Sequence, residues 1–144
     1  MSWRQKRQHR LKRHIERLFD TITSRRDTEI LASFIDFGVE GEVLCRAVVR
    51  FPDDSKLAFA EILTSAYGQR PTKLRYSYHY QAADGRLIFR YDNAPHFPHL
   101  PTFPHHKHLV EDHAQAAAPP DLADVLREID ALLYPNNAQP PETA

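Results

Sequence analysis

Five apolar positions near the start of the chain, Leu11, Ile15, Leu18, Phe19 and Ile22, fall at the i, i+4, i+7, i+8, i+11 spacing of one helical face. Neither Pro nor Gly interrupts Arg4 to Ser24, so the pattern predicts an amphipathic helix. From Glu29 onward the period drops to two. The runs EILASFIDF, EVLCRAVVRF, KLAFAEIL, KLRYSYHY and RLIFRYD are rich in β-branched and aromatic residues and are separated by GVEG, PDDS, SAYGQRP and ADG. Connections this short leave no room for helical crossovers, which predicts a five-stranded antiparallel meander. Near the C-terminus Leu122, Val125, Leu126, Ile129, Leu132 and Leu133 form a second helical stripe, with Asp121 as the cap, Asp124 three positions on and Pro135 as the stop.

The last two runs allow a finer register. With Asp84-Gly85 as a two-residue turn, Ala83 opposes Arg86, and the ladder continues as Tyr80–Phe89, His79–Arg90, Tyr78–Tyr91 and Ser77–Asp92. That register puts Tyr76, Tyr78, Tyr80, Leu87, Phe89 and Tyr91 on one face and Arg75, His79, Arg90 and Asp92 on the other. A slip of one residue would mix the two sets on both faces. The tyrosines are read as core and Glu61 as an exposed residue on an edge strand.

The expected class is α+β in a single domain. A basic helix over 1–26 precedes an antiparallel sheet with a His/Pro-rich loop over 27–110. A linker over 111–119 leads to a C-terminal helix over 120–134 packed on the same domain, then a disordered tail over 135–144. Cys45 is the single cysteine and lies in an apolar run, which excludes a disulfide framework and a thiolate metal cluster. No run approaches the roughly 20 apolar residues of a membrane span, so a cytoplasmic protein with no membrane partner is expected. Net charge is zero but divided: up to Arg26 there are nine Lys or Arg against Glu16 and Asp20, while from Glu111 seven acids face only Arg127. Arg10, Arg13 and Arg17 on the first helix are a solvated basic face or a contact for the phosphates of a nucleic acid.

The chemistry concentrates between Arg90 and His108, where five of the nine histidines and four of the eleven prolines lie. Pro95, Pro98, Pro101 and Pro104 recur every third residue, which favours extended, polyproline-like backbone. In such backbone His106 and His108 point to one side about 6.5 Å apart, with Lys107 pointing away. Two imidazoles whose ordinary pKa is about 6.5 supply a general base and a general acid near neutral pH. Arg90, always charged and able to grip a phosphate through two donors, completes the parts of a metal-independent endoribonuclease, with Asp92 able to fix a histidine tautomer. Tyr91, Asn93, Lys107, His79 and Arg75 are candidate substrate contacts. Two other readings fit the same residues. His96, His106, His108 and Asp92 could chelate a divalent metal in a non-catalytic metal- or partner-binding module. The histidines could also only pack the loop, as Asn93 could only form a turn. His9, His14 and His113 read as surface residues, and His105 should face away from His106.

The stretch from Lys73 through YSYHYQAADGRLIFRYDNAPHFPHLPTFPHHKH, and above all YDN followed by HKH, resembles the TumE-like toxins of bacterial type II toxin-antitoxin systems. The likeness extends loosely over about two thirds of the chain. It implies a small toxin held in check by a cognate helix-turn-helix antitoxin. The family's Tyr-Asp-Asn and His-x-His correspond here to Tyr91, Asp92, Asn93, His106 and His108. A long proline-rich insertion with His96 and His99, and the basic first helix, depart from that pattern. The ribonuclease activity, with RNA as substrate and no cofactor, is inferred from the residues and from the habits of small toxins with antiparallel sheets.

Overall fold

In a computed structural model, residues 2–38, 41–65 and 70–136 are described. Expectations for 39–40, 66–69 and the tail from 137 lie outside them. The order is α1 (Trp3–Thr23), β1 (Glu29–Phe37), β2 (Glu42–Arg50), β3 (Lys56–Thr64), β4 (Thr72–Gln81), β5 (Leu87–Asp92), β6 (His106–Val110), β7 (His113–Ala116) and α2 (Leu122–Leu133). The α+β class and both helices agree with the sequence pattern. The strand count does not: one antiparallel sheet holds seven strands in the order β1-β2-β3-β4-β5-β6-β7. The two additional strands are cut from segments read as loop and linker. β6 pairs Arg90 with His108 and Asp92 with His106, and β7 pairs His106 with Ala116. The sequence HKHLV followed by HAQA has too little β-branched character to announce a hairpin; the free edge of β5 supplies its ladder.

Both helices pack on the same face of the sheet. Leu11, Ile15, Leu18 and Ile22 of α1 and Leu122, Val125, Leu126 and Ile129 of α2 enter one core with Val43, Cys45, Val49, Leu57, Phe59, Tyr78, Tyr80 and Phe89. Each helix starts with a capping box, Ser2 with Gln5 and Asp121 with Asp124, which satisfies amide groups that the helix itself leaves free. Among the described residues no helix is long and apolar enough to cross a membrane.

Glu61 corrects the sequence reading. β3 is a central strand, and Glu61 is only 2% exposed, beneath α1. Tyr78 donates to its Oε2, His14 Nε2 stands 3.5 Å from Oε1, and Lys73 Nζ stands 3.9 Å from Oε2. Lys73 also donates to Pro120 O at 2.6 Å, tying β4 to the entry of α2. Burial works to raise the Glu61 carboxyl, but His14, Tyr78 and Lys73 outweigh it and hold it below the ordinary value. His14 is therefore a half-buried partner of that acid and not a surface residue.

The β4–β5 register is as read from Ser77–Asp92 to Tyr80–Phe89, but the turn is one residue longer. Ala82 N bonds Arg86 O and Gly85 N bonds Ala82 O, giving a three-residue loop that ends on Gly85 at φ 90°. A second irregularity, with Tyr80 opposite Phe89 and Gln81 opposite Leu87, restores the alternation. Ile88, and not Leu87, consequently packs against the core. The proline-rich segment is likewise folded rather than polyproline-like. Leu100 N bonds Phe97 O, Phe103 N bonds Leu100 O and His105 N bonds Thr102 O, so Pro98 and Pro101 occupy the second positions of successive turns, where their fixed φ belongs.

Candidate active site

Among the described residues the second face of the sheet carries no helix, and on it β5 and β6 assemble a cluster. Because Asp92 opposes His106 and Arg90 opposes His108, four chemically active side chains project from two adjacent cross-strand rows. The His106 and His108 ring centroids are 5.0 Å apart. A cleft of about 450 Å³ opens beside them, lined by Arg75, Ser77, Arg90, Asp92, His96 and Phe97 among others.

Asp92 organises the cluster. Its Oδ1 accepts from Ala94 N at 3.0 Å and lies 2.9 Å from His106 Nε2; its Oδ2 accepts from Arg90 Nε at 3.0 Å and stands 3.9 Å from His108 Nε2. Arg90 also reaches Glu111 through Nη1 at 3.5 Å. His106 Nδ1 sits 2.9 Å from Pro104 O. A carbonyl can only accept, so Nδ1 carries a proton. Nε2 faces the Asp92 carboxylate, so the ring is held between a carbonyl and a carboxylate oxygen. His108 is the opposite case: both of its ring nitrogens are buried without a hydrogen-bond partner among the described residues. Burial above all, and then the Arg90 guanidinium, hold the His108 imidazole below its ordinary value against the pull of Asp92 and of the Val110 backbone. The two rings thus sit in unlike settings, His106 held between Pro104 O and Asp92 and His108 pressed toward its neutral form.

Phe97 covers both. Its ring lies edge-on to His106 at 5.2 Å and to His108 at 5.6 Å, leaving the two imidazoles 1% and 2% exposed beside the cleft. Phe97 holds φ 60°, a left-handed conformation that an aromatic residue rarely adopts. Strained backbone of this kind persists where surrounding contacts over-determine it.

The other sequence candidates are placed as follows. Arg75 lines the cleft, and His79 stands on the same open face, opposite Arg90. His96 is on the cleft wall and exposed. Asn93 is buried and spent on the fold: Oδ1 accepts from Tyr76 N and Nδ2 donates to Leu74 O, both at 2.9 Å. Tyr91 and Lys107 project to the helical side, where both bond Glu128 of α2 at 2.6 Å. Arg10, Arg13 and Arg17 lie on α1, across the sheet from the cleft. His105 turns away from His106, as expected, and stacks on Tyr76. Sequence reasoning missed Phe97, Ser77 and Glu111. The signal for Phe97 was its place in HFPH between two histidines, and continuing the β5 register into HKH would have placed Ser77 in one row with Asp92 and His106.

The structure defines a two-layer α+β domain whose open sheet face bears a carboxylate, a guanidinium and two imidazoles in one cluster. The chain belongs to the TumE toxin family, which it matches over residues 10–133. The match takes in both helical stripes and the whole cluster. No curated protein and no solved structure matches it. The resemblance carried by YDN and HKH is borne out, and membership gives the protein a toxin role and implies an antitoxin partner.

Proposed function

We propose that this toxin is an endoribonuclease that cleaves single-stranded RNA without a cofactor, with a cognate helix-turn-helix antitoxin to restrain it. The observation that carries the reading is the geometry of the pair: His108, held below its ordinary value, lies 5.0 Å from the His106 ring, which Pro104 O and Asp92 hold from either end, with Arg90 beside them. His108 takes the proton of a ribose 2′-hydroxyl. The freed oxygen attacks phosphorus, the P–O5′ bond breaks, and His106 gives its Nε2 proton to the departing O5′, leaving a 2′,3′-cyclic phosphate and a 5′-hydroxyl. Arg90 and Arg75 stabilise the charge that accumulates on the phosphoryl oxygens, and Asp92 positions His106 and Arg90. Entry of the substrate displaces Phe97, because a 2′-hydroxyl must come within hydrogen-bond reach of His108. Binding to the open sheet face, and not to the arginines of α1, brings the strand to these groups.

The test uses purified wild type, His106→Ala and His108→Ala with a labelled RNA in the presence of EDTA. Cleavage should fall at least 100-fold in each variant and stop when the attacking 2′-hydroxyl is replaced by hydrogen. Equal cleavage by wild type and both variants would remove the assignment.

A second reading has its own observation. One nitrogen from His106, one from His108 and a carboxylate oxygen of Asp92 lie within 4.8 Å of one another, and Pro104 O orients the far nitrogen of His106, as metal-bound histidines usually require. These three residues could hold a divalent metal in a binding module, with His96 on the same wall. About one equivalent of zinc in purified protein, lost in His108→Ala, would favour it.

A further inference from the structure

Two rows of side chains run unbroken across all seven strands on the open face. The first reads Phe34, Arg46, Ala60, Ser77, Asp92, His106 and Ala116; the second reads Ala32, Val48, Ala58, His79, Arg90, His108 and Ala114. The register irregularity between Ile30 and Ala32 in β1 brings Ala32 and Phe34 into these rows. Each row begins at β1 and passes through the histidine cluster on β5 and β6. Between the ends stand small side chains, so the surface sinks into a trough of about 430 Å³ floored by Ala58 and Ala60 and walled by Phe34, Arg46 and His79. Ser77 borders both this trough and the catalytic cleft. From Ala60 to Asp92 is two strand steps, ~10 Å, and from Phe34 to His106 is five, ~24 Å.

The walls suit a flat, aromatic, polar-edged ligand. The Arg46 guanidinium sits 5.0 Å from the Phe34 ring centroid, and both are exposed; guanidinium planes and aromatic rings are the surfaces on which unpaired bases stack. Acids stand on this face too, Asp36 on β1 and Asp112 beside the cleft, but cations lie closer to the trough. On this face Arg50 is tied to Glu29 and Arg90 to Asp92 and Glu111, while Arg46, Lys56 and Arg75 make no ion pair among the described residues. Unneutralised cations flanking an apolar trough fit an anionic strand that carries planar bases.

We propose that the trough is a nucleobase subsite: one base of the substrate strand lies over Ala58 and Ala60 against the Phe34–Arg46 wall, and the backbone crosses Ser77 to present its phosphate to the histidine pair. The proposal rests on the endoribonuclease reading of the cleft and adds where a base is held. A free strand is implied, because paired and stacked bases cannot reach a surface floored by alanines.

The experiment compares wild type with Ala60→Leu, which fills the trough from the solvent side, and with Phe34→Ala and Arg46→Gln, whose side chains are exposed and leave the core intact. A short mixed-sequence single strand is used in ribo form for cleavage and in 2′-deoxy form for binding. Affinity for the deoxy strand should fall about tenfold in Ala60→Leu and Phe34→Ala, and the difference should shrink on a strand made abasic throughout. Wild-type affinity in all three variants overturns the subsite. If the variants cleave RNA with unchanged KM, the subsite falls and the endoribonuclease stands. If wild type binds, the variants do not, and nothing is cleaved, the subsite stands and the catalytic reading falls. If nucleic-acid binding is unchanged but a co-expressed antitoxin no longer co-purifies, the face belongs to a protein partner and the proposal is wrong.

Discussion

Phe97 decides how the histidine pair can work. While its ring lies against His106 and His108, the ring nitrogens of His108 stay buried although both residues line the cleft. Phe97→Ala should therefore raise the single-turnover cleavage rate at low substrate or, if the ring also orders the imidazoles, lower kcat while leaving RNA affinity unchanged; rates and affinities identical to wild type would show that the ring covers nothing of consequence. His108 makes a separate expectation. Its imidazole is held below the ordinary value of about 6.5 and must be neutral to take a proton. Cleavage should climb with pH through a point below 6.5 and be level on that limb at neutrality, and a rate still climbing above pH 7 would exclude His108 as the base. At this scale the sequence was informative about which residues gather and silent about their state. His-x-His in extended backbone correctly gave two rings on one side, because side-chain alternation is local. The bond that orients His106 comes from Pro104 O, and the lowered value of His108 comes from burial and the Arg90 guanidinium, all of which depend on the fold.

Among the elements, the end of β5 shows a residue type with a clear local habit serving a longer-range purpose. An Asp-Asn before Ala-Pro reads as a turn, and Asp92 does bond Ala94 N two residues on. Asn93 instead reaches β4, where its amide supplies the acceptor and donor that Tyr76 N and Leu74 O would otherwise find on a neighbouring strand. Asn93→Ala leaves both groups unpaired and should cost about 2 kcal/mol in chemical denaturation. Asn93→Asp restores the acceptor but not the donor and should recover part of that loss; no cost in either variant would remove Asn93 from the fold's accounting. The helices and the first five strands were legible because period and capping are local signals. β6 and β7 were not, since five and four residues with little β preference become strands only when β5 offers an edge. Glu61 was misread for a similar reason: an acid in a strand tends to mean exposure, unless His14 arrives from α1 and Tyr78 from β4 to meet it.

Across the whole molecule, Arg25 closes the chain upon itself. Its guanidinium pairs with Asp27 beside it and with Asp130 on α2, at 3.0 and 2.6 Å, and Tyr134 donates to Asp27. Arg25→Ala leaves two acids without their cation and should cost ~2 kcal/mol, the partial solvent access of Asp130 moderating the loss. The pH dependence follows from Asp27. Burial would raise its carboxyl, but the bonds from Arg25 and Tyr134 prevail and hold it below the ordinary range. Its contribution is complete above about pH 4, where the unfolded carboxyl is ionised, and is lost as pH falls through the lower folded value. Wild type should thus lose more stability than Arg25→Ala between about pH 4 and pH 2, and parallel acid curves would count against the clasp. The strictly sequential sheet has one more outcome. Each strand hydrogen-bonds to the one made just before it, so the fold can be laid down in the order of synthesis, hairpin upon hairpin. Half of the histidine cluster resides on the penultimate strand, so the constellation proposed above for RNA cleavage comes together only after the five strands before it have been laid down.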